Sequence, residues 1–286
     1  ARSGQARTLF TDRDEAWVDV ADDLKCFDQG KAFTWTADRD GWRRLEVVQA
    51  AAAEIGPRVT AVQADVTSVA DVDRLVEIAG DIDVLVNNAG LSHRAHWQDV
   101  RSEDWQWIMA LNVESPMWLI QRLVPGMVER GWGRVINVSS VYGLVGGDDS
   151  RYPGIGLDIG SYFASKFGLI GLTKFLATQL GPTGVTVNAL CPGMFPSPAN
   201  VEALQPEVIA ALEAGTPMKR LGEDTELRSA VLFLAGPGSS FVTGQSLVVE
   251  DLPGCYSLEA ISPDEEVVTA SLDSTGPERP DALLVV

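Results

Sequence analysis

Asp83-Val84-Leu85-Val86-Asn87 has an unbroken apolar centre and runs straight into Asn88-Ala89-Gly90. A strand with one wet face alternates apolar with polar residues, whereas a short continuous apolar run fits a strand covered on both faces. Helices supply that cover when strands are parallel and joined by crossovers. The flanking sequence repeats the alternation in both directions. Upstream, residues 58–63 read as a strand, and Asp65-Val66-Thr67-Ser68 caps a helix running through Ile78. Before them, residues 32–36 read as a strand, Asp38-Arg39-Asp40-Gly41 as the turn after it, and residues 42–55 as a helix. Downstream come a long helix over 102–130, a strand over 134–138, a helix from Tyr162 to Leu180 and a strand over 184–190. A helix over 225–235 and a strand over 246–249 close the pattern. The expected class is α/β: a doubly wound, Rossmann-like parallel sheet in three α/β/α layers.

Composition narrows the function. Lys+Arg of 22 against Asp+Glu of 40 gives a net charge of −18, which repels nucleic acid and anionic membrane. No apolar run approaches the roughly 20 residues that span a bilayer, and residues 1–10 lack the apolar core of a signal peptide. Cys26, Cys191 and Cys255 are too widely spaced for a disulfide framework or a zinc site. The two histidines, His93 and His96, read as loop residues and not as a metal centre, so no metal is expected. These features predict a cytoplasmic location. Residues 1–250 fit a single domain with an atypical stretch over 1–31. Residues 251–286, rich in Pro, Ser, Asp and Glu, read as a C-terminal extension.

In open parallel sheets, ligands bind beyond the carboxyl ends of the strands. Asp38, Asp65-Val66, Asn87-Asn88-Ala89-Gly90, Ser139-Ser140 and Cys191-Pro192-Gly193 all fall at such ends. Asp38 suits an adenosine ribose, whose hydroxyls a carboxylate accepts. Ala89 and Gly90 let the backbone approach a flat ligand. Ser161-Tyr162-Phe163-Ala164-Ser165-Lys166 adds a phenol and an ammonium four residues apart, on one helical face. A free tyrosine has a pKa of about 10, and an adjacent cation favours the phenolate, which makes a proton donor or acceptor near neutrality.

Taken together, Asn87-Asn88-Ala89-Gly90, Leu111-Asn112-Val113, Ser139-Ser140-Val141-Tyr142-Gly143, Tyr162-Phe163-Ala164-Ser165-Lys166 and Cys191-Pro192-Gly193 resemble the short-chain dehydrogenase/reductase family over residues 32–250. The resemblance implies a nicotinamide-dependent oxidoreductase acting on a small carbonyl or alcohol. Tyr162 matches the acid/base and Ser140 the serine that hydrogen-bonds the substrate oxygen. Lys166 matches the lysine that tunes the tyrosine and holds the nicotinamide ribose, and Asn112 the asparagine that anchors a water in the proton relay. The implied cofactor residues are Gly4, Asp38, Asp65, Val66, Asn88, Ala89, Gly90, Tyr162, Lys166, Pro192, Gly193 and Ser197. Asp38 favours NAD over NADP, because a carboxylate repels a 2′-phosphate. The insertion around 146–153 is similar to the loop of sugar-acid and 3-oxoacyl reductase members. Family members pair through the two helices here placed over 102–130 and from Tyr162, which implies a homodimer or homotetramer.

The sequence departs from the family at both ends. No strand with a complete T-G-x-x-x-G-x-G precedes Lys31; Ala1-Arg2-Ser3-Gly4-Gln5-Ala6-Arg7 resembles only the second half of that motif. The usual Asp-Gly-Gly is replaced by Glu250-Asp251-Leu252. Hence a second expectation stays open, that of a catalytically silent binding or regulatory protein without the phosphate loop. Three segments compete for the vacant central place in the sheet. Either the apolar 281–286 fills it, parallel to residues 33–36, or part of 12–31 does, or 281–286 is a frayed tail.

Overall fold

A computed structural model describes residues 7–12, 35–37, 61–147, 158–196, 206–250 and 283–285. Strand β4 (Val84–Asn87) is buried along its whole length, as are β5 (Gly133–Val138) and β6 (Val185–Pro192). Their side chains alternate between two cores. Leu85 and Val135 join one apolar cluster with α1 (Val69–Ala79) and α3 (Ser115–Arg130), whereas Val84, Val86, Ile136 and Val138 join another with α6 (Asp224–Ala235). A continuous apolar run is therefore required, because both pleat faces are interior.

The remaining strands are β1 (Arg7–Asp12), β2 (Trp35–Ala37), β3 (Ala61–Gln63), β7 (Ser246–Val249) and β8 (Leu283–Val285). Among the described residues, every strand pairing is parallel. The order is β2-β1-β8-β4-β5-β6-β7, with β3 paired to β1. The doubly wound parallel fold read from the sequence is thus the observed one.

One expectation about the ends is corrected. A strand without the glycine motif, Arg7–Asp12, precedes Lys31 and is hydrogen-bonded to β2, β3 and β8. Residues 283–285 do enter the centre of the sheet, beside β4, with Leu85 opposite Leu284. Their other neighbour is β1 and not residues 33–36, with Thr8 opposite Val285. β1 lies between β8 and β2 and pairs with both, so β2 stands one strand further out.

The helix expected over 102–130 is interrupted. α2 (Ser102–Met109) passes through a π-turn (Ala110–Glu114) into α3. Such a turn absorbs one extra residue and is frequent at functional sites. α4 (Gly160–Leu180) carries Tyr162 as expected. α5 (Pro206–Gly215) was not anticipated, although Pro at its start and Gly at its end are standard helix punctuation. The expected helix over 42–55 lies outside the described residues.

Candidate active site

The π-turn determines where Asn112 points. Its Oδ1 accepts from Leu91 N at 2.9 Å, and its Nδ2 donates to Leu91 O at 2.8 Å and to Ser165 Oγ at 2.9 Å. Ser165 Oγ in turn donates to Tyr162 O at 2.8 Å. One buried amide thus ties the loop after β4 to the first turns of α4. This use of Ser165 was not foreseen, although Ser165 stands inside the quoted Tyr–Lys stretch.

Lys166 is buried, and its Nζ lies 5.4 Å from the centre of the Tyr162 ring, within cation–π range. The same Nζ donates to Val138 O at 2.9 Å, at the end of β5. Ser139 Oγ donates to Lys166 O at 3.0 Å, which fixes the helix against that strand end. Ser140, next in sequence, caps the short turn Val141–Gly143, its Oγ accepting from Tyr142 N at 3.2 Å. Val141, Tyr142, Ile159 and Tyr162 share one apolar cluster. Asn112, Ser140, Tyr162 and Lys166 are therefore gathered around the carboxyl ends of β4 and β5.

Asn88, Ala89 and Gly90 follow β4 directly. A Cβ on Gly90 would lie 3.1 Å from Lys166 Nζ and 3.3 Å from Asn112 Oδ1, so any larger residue would crowd both. Both amide atoms of Asn88 are enclosed without a hydrogen-bond partner. Buried amides are normally satisfied, and an orphaned donor–acceptor pair directly after β4 fits a polar, hydroxyl-bearing ligand such as a nucleotide cofactor.

At the end of β6, Pro192 is held in register opposite Val249, and Gly193 N donates to Val249 O at 3.0 Å. Glu250 lies over Gly193, where an added Cβ would meet its side chain at 2.4–2.7 Å. Cys191 is buried beneath, and burial pushes its thiol up to about 11, with the Lys166 charge pulling the other way. The thiol is thus protonated and unreactive near neutrality.

Asp65 and Val66 follow β3. Asp65 Oδ1 accepts from Thr67 N at 2.9 Å and from Thr67 Oγ1 at 2.6 Å, a turn that leads into α1; Val66 is buried. Gly4, Asp38 and Ser197 lie outside the described residues. β1 ends at Asp12, in register with Ala37.

A family model described as Enoyl-(Acyl carrier protein) reductase matches residues 26–251. Nodulation protein G of Azospirillum brasilense is 39% identical over 168 residues, 59% of this chain and 64% of its own length. The 3-oxoacyl-(acyl-carrier-protein) reductase of Vibrio cholerae is 37% identical over 170 residues, 59% of this chain and 66% of its own length. The chain thus spans just under two thirds of each of these curated relatives. A crystal structure of a gluconate 5-dehydrogenase from Burkholderia cenocepacia, in complex with NADP and tartrate, superposes with a TM-score of 0.67 at 27% identity. That match covers 86% of this chain and 94% of the other.

Proposed function

This chain belongs to the short-chain dehydrogenase/reductase family, and we propose that it is an oxidoreductase moving a hydride between a nicotinamide dinucleotide and a small carbonyl or alcohol. The observation that carries the proposal is the buried ammonium of Lys166 beside the buried phenol of Tyr162, with Ser140 at the adjoining strand end.

In the reductive direction the Tyr162 O–H protonates the substrate oxygen as the carbonyl carbon gains a hydride. The C=O π pair becomes the O–H bond pair. The Ser140 hydroxyl donates to the same oxygen as negative charge develops, which is where preorganised donors lower a barrier most. Lys166 stabilises the phenolate left behind, and Asn112 holds Leu91 and the Tyr162 helix in place. The nicotinamide supplies the hydride in this direction and accepts it in the other. Asp65, Val66, Asn88, Ala89, Gly90, Tyr162, Lys166, Pro192 and Gly193 are the described residues that would hold it, with Gly4, Asp38 and Ser197 completing the set.

We read the acid at Asp38 as favouring NAD; the NADP complex of the gluconate 5-dehydrogenase weighs the other way. Sugar acids and 3-oxoacyl thioesters are the substrate classes to test first. We also infer a homodimer or homotetramer, and a cytoplasmic site of action that fractionation of the full chain would check. Among the described residues, no helix is long and apolar enough to cross a membrane. The competing proposal, a silent binding protein, rests on the incomplete glycine motif before Lys31. Fluorescence titration with NADH and NADPH separates the two. Submillimolar binding with NADH the tighter ligand is expected, tighter NADPH binding would overturn the NAD preference, and no binding of either would overturn the oxidoreductase.

A further inference from the structure

We propose that His93 is a substrate-binding residue that accepts a hydrogen bond from a hydroxyl of a hydroxylated carboxylic acid, oriented for that task by Asp104. The proposal rests on the active site assigned above and narrows its substrate class.

His93 stands midway along a loop pinned at both ends. Leu91 is held through its N–H and its C=O by Asn112. Ala95 N donates to Asp158 O at 2.8 Å, and Ala95 forms a parallel bridge with Ile159, the residue before α4. Ile159 is fully buried against Tyr162, Val141 and Tyr142. His93 is two residues from each anchor, at most about 7 Å of chain. Its backbone is therefore fixed between the Asn112 amide and the head of the Tyr162 helix.

The ring faces a buried carboxylate, at ion-pair range and beyond hydrogen-bond length. His93 Nε2 lies 3.7 Å from Asp104 Oδ2, and the Asp104 side chain is 9% exposed. Asp104 is itself immobilised by Arg101, whose Nε and Nη2 donate at 2.6 and 2.8 Å. A carboxylate facing Nε2 favours the tautomer with its proton there, which makes Nδ1 an acceptor. His93 Nδ1 is enclosed and has no hydrogen-bond partner. Enclosed polar atoms are ordinarily satisfied, by protein, water or ligand. A substrate O–H supplies the missing donor. A saturated acyl chain supplies none, so the site distinguishes the two substrate classes named above.

The test is calorimetric titration of D-gluconate and of hexanoate, its unhydroxylated counterpart, into the full chain with saturating NAD⁺ present. A Tyr162→Phe background prevents turnover. Gluconate is expected to bind tighter than hexanoate. Added His93→Leu should weaken gluconate about tenfold, the effect of one lost hydrogen bond, and leave hexanoate unchanged. His93→Gln, whose side-chain oxygen can accept, should recover part of the loss. Asp104→Asn should weaken gluconate less than His93→Leu does. Unchanged gluconate affinity in His93→Leu, equal weakening of both ligands, or no preference for gluconate in the parent would each overturn the proposal. Turnover of an unhydroxylated ketone by the unmodified chain tests the oxidoreductase separately, because that reaction does not call on His93.

Discussion

Replacing Asn112 by alanine tests how the site is held together. The amide makes three hydrogen bonds at 2.8–2.9 Å, two of them to the backbone of Leu91. Asn112 is 0% and Leu91 4% exposed, so no bulk water waits to take over. The substitution orphans the N–H and the C=O of Leu91 together. At roughly 1–3 kcal/mol for each buried group left unpaired, the loss comes to about 2–6 kcal/mol. A water entering the space left by the amide draws the value toward the lower end. Urea unfolding followed by tryptophan fluorescence reads this as a lower midpoint at constant slope, and hydrogen exchange at Leu91 N should lose its protection. A loss below about 1 kcal/mol with Leu91 still protected would refute the reasoning, because the loop would then be held by something other than Asn112.

Gly143→Ala places a methyl 2.7 Å from Ser139 Oγ and 2.8 Å from the Lys166 carbonyl, so it should destabilise by about 1–3 kcal/mol and depress turnover; an unchanged melting temperature would contradict the packing described. Glu226 is held down to about 2, chiefly by its hydrogen bonds to Arg220 and then by the Glu223 backbone. A depressed carboxylate contributes stability above its ordinary value of 4.5 and loses it as pH falls through about 2. Wild type should therefore exceed Glu226→Gln in melting temperature above that window and converge with it at its acid end; the effect is modest because both partners are 40% exposed, and parallel curves would exclude it. Light scattering at micromolar concentration should give at least twice the 30.7 kDa chain mass, with Phe167 and Phe175 on α4, 47% and 57% exposed, in the covered face. A monomer, or a dimer unaffected by Phe167→Asp, would set that assembly aside.

Much of the fold was legible because its signals are local. Three consecutive buried strands read as apolar runs, and the Tyr162–Lys166 pair sits at helical spacing within α4. The π-turn was not legible, since one absorbed residue barely disturbs an amphipathic pattern over 102–130. Nor was β1, whose Arg7-Thr8-Leu9-Phe10-Thr11-Asp12 is weakly apolar and is a strand only by pairing with segments more than 20 residues away. Parallel pairing is non-local, so a short polar-flanked strand gives little sign of itself. The site divides in the same way. Ser140, Tyr162 and Lys166 are readable as a motif, whereas His93 and Asp104 meet across a loop and a helix, and Glu250 reaches Gly193 only because β6 and β7 are adjacent.

The most direct test of Tyr162 as the acid/base measures cofactor binding and ketone reduction side by side in wild type and Tyr162→Phe. Loss of a positioned proton donor should lower turnover by about 10²–10⁴-fold while the dinucleotide binds as before. Turnover by Tyr162→Phe within a few-fold of wild type, with binding intact, would contradict it.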